Sequence, residues 1–254
     1  MNTIQIRRAR PSALALALAL LLTMLFVYAA VRPALPNHGA KQAAAAAPIS
    51  TELRMEGLEA HFLIADRCDD PLQARILAAR CAQDGGAGLI LPDGDGFAII
   101  RDTGKPSEDT LSRSSAGLTL RMEGSAAGLA AVSDAVSFLR AQATETSALA
   151  GALENGDTDA ASLQALMRVY HTQGRRVLDN LAAPGSHPVI NMLQESVSSC
   201  LMRLDSAIAD PSPASIRLVH AAACAQWLGL QDELRSGNNA GAFSPQTPDQ
   251  RASG

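Results

Sequence analysis

Aromatic residues are scarce in this chain, at 3% of its 254 residues. A chain with so few aromatics builds its core from alanine, leucine, valine and isoleucine, which favours closely packed helices. No basic stripe runs through the sequence, and the formal net charge is −4. The sequence therefore lacks the basic surface that binds nucleic-acid phosphates, and we expect no nucleic-acid partner.

Motifs of familiar enzyme classes are also missing from the sequence. It contains no GxSxG nucleophile elbow, no Walker loop and no HExxH zinc motif. Residues 93–96 (DGDG) look like the start of a calcium loop, but no glutamate follows at the twelfth position, so a hairpin turn explains them better. We therefore expect a non-enzymatic protein without a metal ion or another cofactor.

Cysteine is sparse, with four residues that form no CxxC motif and hence no structural zinc pattern. Cys200 and Cys224 lie 12 residues on either side of Ser212, so an antiparallel helical hairpin would bring them to a similar height. They would form a disulfide if their Cβ atoms face each other. The alternative is two buried free thiols, because cysteine serves well as a small hydrophobic residue.

One long apolar run is present, over residues 11–31 (PSALALALALLLTMLFVYAAV). It carries no charge, and as a helix it would rise about 31 Å, which matches the hydrocarbon core of a bilayer. A short basic segment, residues 1–10, precedes it. The run is therefore predicted to be a transmembrane helix that anchors the chain in the cell membrane.

The orientation of this anchor follows from its flanking charges. Arg7, Arg8 and Arg10 precede the apolar run, so the positive-inside rule predicts a cytoplasmic amino terminus and extracytoplasmic downstream domains. A cleaved signal peptide that ends near Ala29 and Ala30 is the alternative. The length of the run favours a retained, single-pass anchor over cleavage.

The rest of the chain divides by composition. A stretch rich in proline and alanine suggests a flexible linker, and a carboxy-terminal stretch rich in Gly, Asn, Pro and Ser suggests a disordered tail. Between them, strand and turn signals give way to helical periodicity. The predicted parts are a linker over 32–52, an α+β domain over 53–124, a helical domain over 125–236 and a tail over 237–254.

The α+β domain is predicted to have the order β-α-β-β-(α)-β in an antiparallel sheet. Asp69 or Asp70 can cap its first helix, on which Leu72, Ile76 and Ala79 share one face. The predicted elements are a strand over 60–65, a helix over 71–83, a hairpin of strands 89–91 and 97–100, a reduced helix within 106–114 and a strand over 118–122.

The pentapeptide Leu-Arg-Met-Glu-Gly occurs twice and brackets this domain, at residues 53–57 and 120–124. Chance is one explanation, because the surrounding sequence differs between the two copies. The other explanation is that both copies are strands at equivalent edges of one sheet.

Residues 125–236 contain four helical patterns, which short loops would arrange as an antiparallel bundle. The first keeps a 3-4 apolar spacing from Leu129 to Leu153, and either a bundle core or a partner helix would explain it. Asp157 or Thr158 can cap the second. The other apolar stripes run over 163–181, 189–208 and 216–234.

Several segments of the α+β region follow the pattern of a known module. They are His61-Phe62-Leu63-Ile64-Ala65-Asp66, then Asp70, Pro71 and Ala74, then Gly85-Gly86-Ala87-Gly88, and finally Phe97-Ala98-Ile99-Ile100. With them the region resembles a SPOR domain, the peptidoglycan-binding module of bacterial division and sporulation proteins. The resemblance implies a four-stranded antiparallel sheet with two helices, and peptidoglycan glycan strands as the partner.

On this resemblance, a polar set at the sheet edge is the candidate glycan-binding site: His61, Asp66, Arg67 and Arg101. The implied function is that of a membrane-anchored cell-envelope protein that binds peptidoglycan glycan in sporulation or division. The alternative is a membrane-tethered interaction or scaffold protein that no longer binds glycan. Its helical domain would pair with a protein partner or with itself.

Overall fold

The computed structural model describes residues 49–182 and 188–239, and these residues form an α+β fold. The predicted basic segment 1–10, the predicted anchor 11–31 and the chain beyond residue 239 lie outside the described residues. Within the described ranges, no helix combines the length and the hydropathy needed to cross a bilayer.

Strands fill the first half of the described chain and helices the second. The strands are β1 (Ile49–Met55), β2 (Leu58–Cys68), β3 (Leu89–Asp93), β4 (Gly96–Thr103), β5 (Thr110–Ser115) and β6 (Leu118–Gly124). The helices are α1 (Pro71–Gln83), α2 (Ala126–Glu145), α3 (Leu149–Glu154), α4 (Ala160–Ala182), α5 (Pro188–Ala209) and α6 (Pro213–Asn239).

The central feature is a four-stranded antiparallel sheet with the strand order β3-β4-β2-β5. The predicted first strand and the predicted hairpin are confirmed as β2 and as β3 with β4. Gly94 takes a φ of +59° in the hairpin turn, a conformation that glycine adopts without strain. The predicted α+β class, with an antiparallel sheet followed by helices, is therefore confirmed.

The reduced second helix predicted within residues 106–114 is wrong, because β5 occupies Thr110–Ser115 and pairs with β2. Its side chains alternate between a partly buried row, with Leu111 and Ser115, and an exposed row, with Ser112 and Ser114. A strand at the edge of a sheet needs only one apolar row, so it carries little hydrophobic signal.

The first three residues of one pentapeptide copy end β1, and the other copy ends β6; these two strands form a separate antiparallel sheet. Leu53 pairs with Leu120, so the first residues of the two copies face each other, and both are buried. The prediction that residues 49–52 belong to a linker is wrong, because β1 begins at Ile49. We call this two-stranded sheet the ribbon.

Helix α1 begins as predicted, because the Asp70 side chain accepts hydrogen bonds from the backbone N–H groups of Leu72 and Gln73. Its orientation is not the one that the apolar pattern suggests. Ala74, Ala78 and Cys81 face the sheet, whereas Leu72 and Ile76 point to solvent. Small side chains let the helix backbone approach the strands closely, and this closeness decides the orientation.

The first helical pattern is interrupted, because α2 ends at Glu145 and α3 begins at Leu149. The continuous helix expected from the 3-4 spacing is therefore wrong at this point. The Thr146 hydroxyl donates to the Gln142 carbonyl at 2.7 Å, where it competes with the helical backbone bonds. Helix α4 is capped by Asp159, and not by the predicted Asp157 or Thr158, because the Asp159 carboxylate accepts from the Ser162 N–H at 2.7 Å.

The two faces of the four-stranded sheet are covered by different helices. Ile99 of β4 packs with Ala78 and Cys81 of α1, whereas Ala98 and Ile100 belong to the large core that α6 shares. Successive residues of a strand point to opposite faces, so α1 and α6 lie on opposite sides of the sheet. The large core continues without a break from the sheet and ribbon into α2, α4, α5 and α6.

Helix α6 continues to Asn239, so the first residues of the predicted tail over 237–254 belong to this helix. The boundary at 236 is wrong for a simple reason. Gly237 and the two asparagines after it are weak helix formers, but they extend a long helix whose packed turns are already formed.

Candidate functional site

The four residues predicted as a glycan site do not converge. The register places Asp66 opposite Ile99 and Arg67 opposite Ala98. Because Ile99 faces α1 and Ala98 faces α6, these neighbouring charged residues project from opposite faces of the sheet.

Arg67 and Arg101 serve local structure. The Arg67 Nε donates to the Asp93 carboxylate at 2.8 Å and ties β2 to the β3–β4 hairpin. Arg101 lies beside the end of α1, where a Cβ on Gly86 would come within 3.0 Å of its Cγ. Gly86 therefore leaves room for the arginine stem, and neither arginine reaches His61 through a hydrogen bond or ion pair that the structure describes.

His61 is the one predicted residue that belongs to a polar constellation. Its Nδ1 lies 2.9 Å from the Ser112 hydroxyl on β5, and its Nε2 lies 3.4 Å from a carboxylate oxygen of Glu59 on β2. His61 and Ser112 are paired across the two strands, and Glu59 stands two residues before His61 on the same face. We call this set the polar row (Glu59, His61 and Ser112).

The polar row is accessible to ligands at Glu59 and Ser112, whereas His61 at its centre is held by contacts with both. The side chain of His61 is 20% exposed, whereas that of Glu59 is 70% exposed. The same residue types form hydrolase triads, but there the carboxylate is buried and fixes the imidazole, which an exposed glutamate cannot do. Alternating donors and acceptors on a flat strand surface suit hydrogen bonding to hydroxyl groups.

Sequence reasoning missed Glu59 and Ser112. Glu59 lies one residue before the predicted strand over 60–65, and β2 in fact begins at Leu58, which places Glu59 and His61 on one face. Ser112 could not be found in the same way, because its strand was predicted as a helix.

A second polar cluster is buried between α2 and α6. The Thr146 hydroxyl lies 3.0 Å from Nδ1 of His220, and the Cys224 thiol donates to the Ala143 carbonyl at 3.4 Å. Burial raises the pKa of Cys224 to about 12, and burial lowers the pKa of His220. A thiol that stays protonated beside a neutral imidazole is no nucleophile, so this cluster is structural.

The disulfide considered from the sequence is absent, since all cysteines of the described residues are free thiols. Cys224 directs its sulfur towards α2 at the Ala143 carbonyl and so does not point at Cys200. Burial also raises the pKa of the Cys200 thiol, to about 11. Among the side chains that the structure describes, no group of three or more His, Cys, Asp or Glu residues could hold a metal ion.

Arg217 of α6 joins three parts of the fold. Its guanidinium donates to the carboxylates of Asp102 and Glu154 at 2.8 and 2.7 Å, and to the Gly85 carbonyl at 2.6 Å. The side chain is only 17% exposed. These contacts fix the end of β4, helix α3 and the turn after α1 against α6, and no motif in the sequence points to them.

A groove of about 320 Å³ runs along α2 beside Arg54, Glu56 and Trp227. Arg140 reaches Glu56 at 3.5 Å and stacks over the Trp227 ring at 5.7 Å from its centroid, and its Nη1 is buried without a hydrogen-bond partner among the described residues. The indole N–H of Trp227 also donates to the Glu56 carbonyl, at 3.2 Å. The polar row is the candidate glycan-binding site because it contains His61, a residue of the predicted set.

No protein-family model, no curated protein and no solved structure matches this chain.

Proposed function

We propose that this protein is a non-enzymatic cell-envelope protein that binds peptidoglycan glycan strands through the polar row. The observation that supports this is the arrangement of Glu59, His61 and Ser112 on an uncovered part of the sheet. The three side chains offer a carboxylate, an imidazole and a hydroxyl, which together accept from and donate to sugar hydroxyl groups. The resemblance to a SPOR module points to sporulation or division as the setting.

Membrane anchoring belongs to the same proposal. The apolar run over residues 11–31 would hold the chain in the cell membrane with its amino terminus in the cytoplasm and its folded part outside. A site of three exposed or half-exposed side chains binds weakly by itself. A tether raises its effective concentration at the wall, and many glycan repeats then give avidity.

Sedimentation of the full-length chain with purified peptidoglycan tests the proposal. We expect His61→Ala to lower the bound fraction several-fold, because it removes the centre of the polar row. The matched control is His171→Ala: His171 is similarly exposed, at 21%, and pairs with Asp205 at 3.1 Å on the helical side of the molecule. Equal binding by the wild type and His61→Ala would contradict the proposed site.

Peptidoglycan stripped of its stem peptides sharpens this test. A glycan-binding site should hold the stripped polymer at least as well as the intact one, because the sugar hydroxyls stay in place. Binding that disappears with the stem peptides would assign recognition to peptide and contradict a glycan site.

A second candidate function is a membrane-tethered scaffold whose SPOR-like module does not bind glycan. It is favoured by the cover that α6 provides over one whole sheet face, which makes the sheet part of the helical core. In that case the chain should sediment with neither form of peptidoglycan. The search would then move to protein partners of the helical domain, or to its self-association.

A further inference from the structure

The groove beside α2 is lined by charged side chains from two elements of the fold. Arg54 comes from β1 and Arg140 from α2, and each of Glu56 and Glu145 adds a carboxylate. Its volume of about 320 Å³ is that of a site for a small molecule. We call it the ribbon groove (Arg54, Glu56, Val136, Ser137, Arg140, Ala141, Thr144, Glu145 and Trp227).

Arg140 carries a charge that its own surroundings compensate only in part. The side chain is 25% exposed, and its Nη1 is buried without a hydrogen-bond partner among the described residues. Its ion pair with Glu56 is 3.5 Å long, whereas charge-assisted hydrogen bonds are usually about 2.7–2.9 Å. The stack over Trp227 offsets only a part of the cost of removing a cation from water. A further anion beside this guanidinium is therefore favourable.

Glu56 shows how a carboxylate approaches Arg140 and why it can be displaced. Its backbone is fixed, because the carbonyl accepts from the Trp227 indole at 3.2 Å and from the Gln231 amide at 2.7 Å. Its side chain is 80% exposed, so it can turn into solvent at little cost. A ligand carboxylate can then take its place beside Nη2 of Arg140.

Two further groups of the groove can bind a carboxylate. Arg54 is 81% exposed and pairs with Glu52 only at 3.9 Å, so its charge is also weakly compensated. Ser137, one turn before Arg140 on α2, brings a hydroxyl to the same groove. Arginine and hydroxyl donors from the ribbon and from α2 thus meet across the groove.

The groove also contains a fixed negative charge. An oxygen of Glu145 accepts from the Tyr170 hydroxyl at 3.2 Å, which holds the carboxylate in place. The two arginines and two glutamates of the lining cancel in formal charge, so the groove suits a zwitterion better than a multiply charged anion. Arg140 and Glu145 are five residues apart, about 7.5 Å along the helix axis, and two extended residues of a peptide span about 7 Å.

We propose that the ribbon groove binds a short zwitterionic peptide of about two residues. Its carboxylate lies between Arg54 and Arg140, in the place of the Glu56 side chain, and its ammonium group lies at Glu145. The proposal depends neither on glycan binding by the polar row nor on the membrane anchor.

Nuclear magnetic resonance of the full-length chain in detergent micelles tests the proposal, with alanyl-alanine as the ligand. Labelled tryptophan gives one indole N–H signal, because the chain has a single tryptophan, and this N–H donates to Glu56 beside the groove. We expect a saturable shift of the signal. Amidation of the ligand carboxylate should weaken binding about tenfold, because the charge-assisted bonds to arginine are lost.

Free alanine tests the length of the ligand, because it is too short to reach both charges. It should bind several-fold more weakly than alanyl-alanine. Alanine that binds as well as the dipeptide, an amidated dipeptide that binds like the parent, or a signal that does not respond to alanyl-alanine would overturn the proposal.

Substitutions on the ribbon side give an independent measurement. Glu56→Gln should strengthen the binding of alanyl-alanine several-fold, because it removes the carboxylate that competes for Arg140. Arg54→Met should weaken it several-fold. The matched control is Arg121→Met, since Arg121 is also a ribbon arginine but bonds to Ser50 outside the groove. Weaker binding by Glu56→Gln, or equal losses in Arg54→Met and Arg121→Met, would contradict the proposed site.

The ammonium end of the ligand is assigned by Glu145→Gln. This variant should bind alanyl-alanine several-fold more weakly than the wild type, and acetyl-alanyl-alanine equally well, because the acetylated ligand has no ammonium group. A variant that loses affinity for both ligands alike would show that Glu145 acts through the shape of the groove and would contradict its role as the ammonium partner.

Discussion

The two faces of the four-stranded sheet are stabilised in different ways. On one face, α6 joins a large core that includes Phe62, Ile100 and Trp227, each at most 1% exposed. On the other face, α1 covers Ile99 with Ala78, Cys81 and the partly buried Leu77. The first face carries most of the buried apolar surface, and the second is a thin layer.

Because its two faces are packed differently, the same sheet can be a core element on one side and a platform on the other. The α6 face is closed by large side chains, so its residues are committed to stability. The α1 face has a much smaller apolar cluster, and the open part beside it is polar, so substitutions there should cost less stability. The polar row lies on the lightly packed side, because Glu59 and His61 point away from the face of Ala60 and Phe62.

The largest expected effect comes from Phe62→Ala on the α6 face. Removing a fully buried phenylalanine should lower the free energy of unfolding by about 3–5 kcal/mol. The matched change on the thin face, Cys81→Ala, should lower it by only about 1 kcal/mol, because little volume is lost. Urea unfolding of the full-length chain, followed by the fluorescence of the single tryptophan, measures both. Equal losses would show that the two faces contribute alike.

A smaller effect is expected from Arg217→Met, which removes the link between α6 and the turn after α1. Without the guanidinium, two carboxylates and one carbonyl lose their donor. The free energy of unfolding should therefore fall by about 2–3 kcal/mol. Arg67→Met removes an exposed ion pair with Asp93, so a loss of at most about 1 kcal/mol is expected. Urea midpoints of the two variants separate these values, and a larger loss for Arg67→Met would be inconsistent with the link.

The smallest expected effect is a pH dependence that belongs to the α6 side. Burial lowers the pKa of His220 below its ordinary value of 6.5, although the charge of Asp102 opposes the shift. The unfolded chain therefore takes up this proton at a higher pH than the folded chain does. Stability from the neutral ring is fully present above about pH 6.5 and is lost as the pH falls towards the folded pKa.

His220→Gln isolates that contribution, because glutamine stays neutral throughout. Urea unfolding from pH 8 to pH 5 should show a shallower loss of stability for the variant than for the wild type. If the stability of the variant and of the wild type falls equally with pH, the titration of His220 does not cause the pH dependence.

Local signals in the sequence were sufficient for several elements. The Asp70-Pro71 start of α1 and the hairpin around Gly94 follow from capping and turn chemistry, which act over a few residues. The long helices α4, α5 and α6 follow from apolar periodicity.

Long-range packing decided what the sequence could not reveal. Which face of α1 is buried depends on how closely its small side chains approach Ile99 of β4. The local sequence of the helix does not reveal that distance. The break after α2 falls at Thr146, which fits the apolar spacing but bonds to His220 of a distant helix. Of the candidate site, only His61 was predicted. The predicted strand began one residue after Glu59, and the strand that carries Ser112 was predicted as a helix.

The ribbon has a mechanical consequence. Ile49, where the described chain begins, pairs with Gly124, which leads directly into α2. Tension applied ahead of Ile49 and resisted by α2 would therefore act across the strand pairs, and would open them one after another instead of shearing all at once. An unzipped pair yields at low force, so the ribbon would release slack before the sheet or the helical core bears any load.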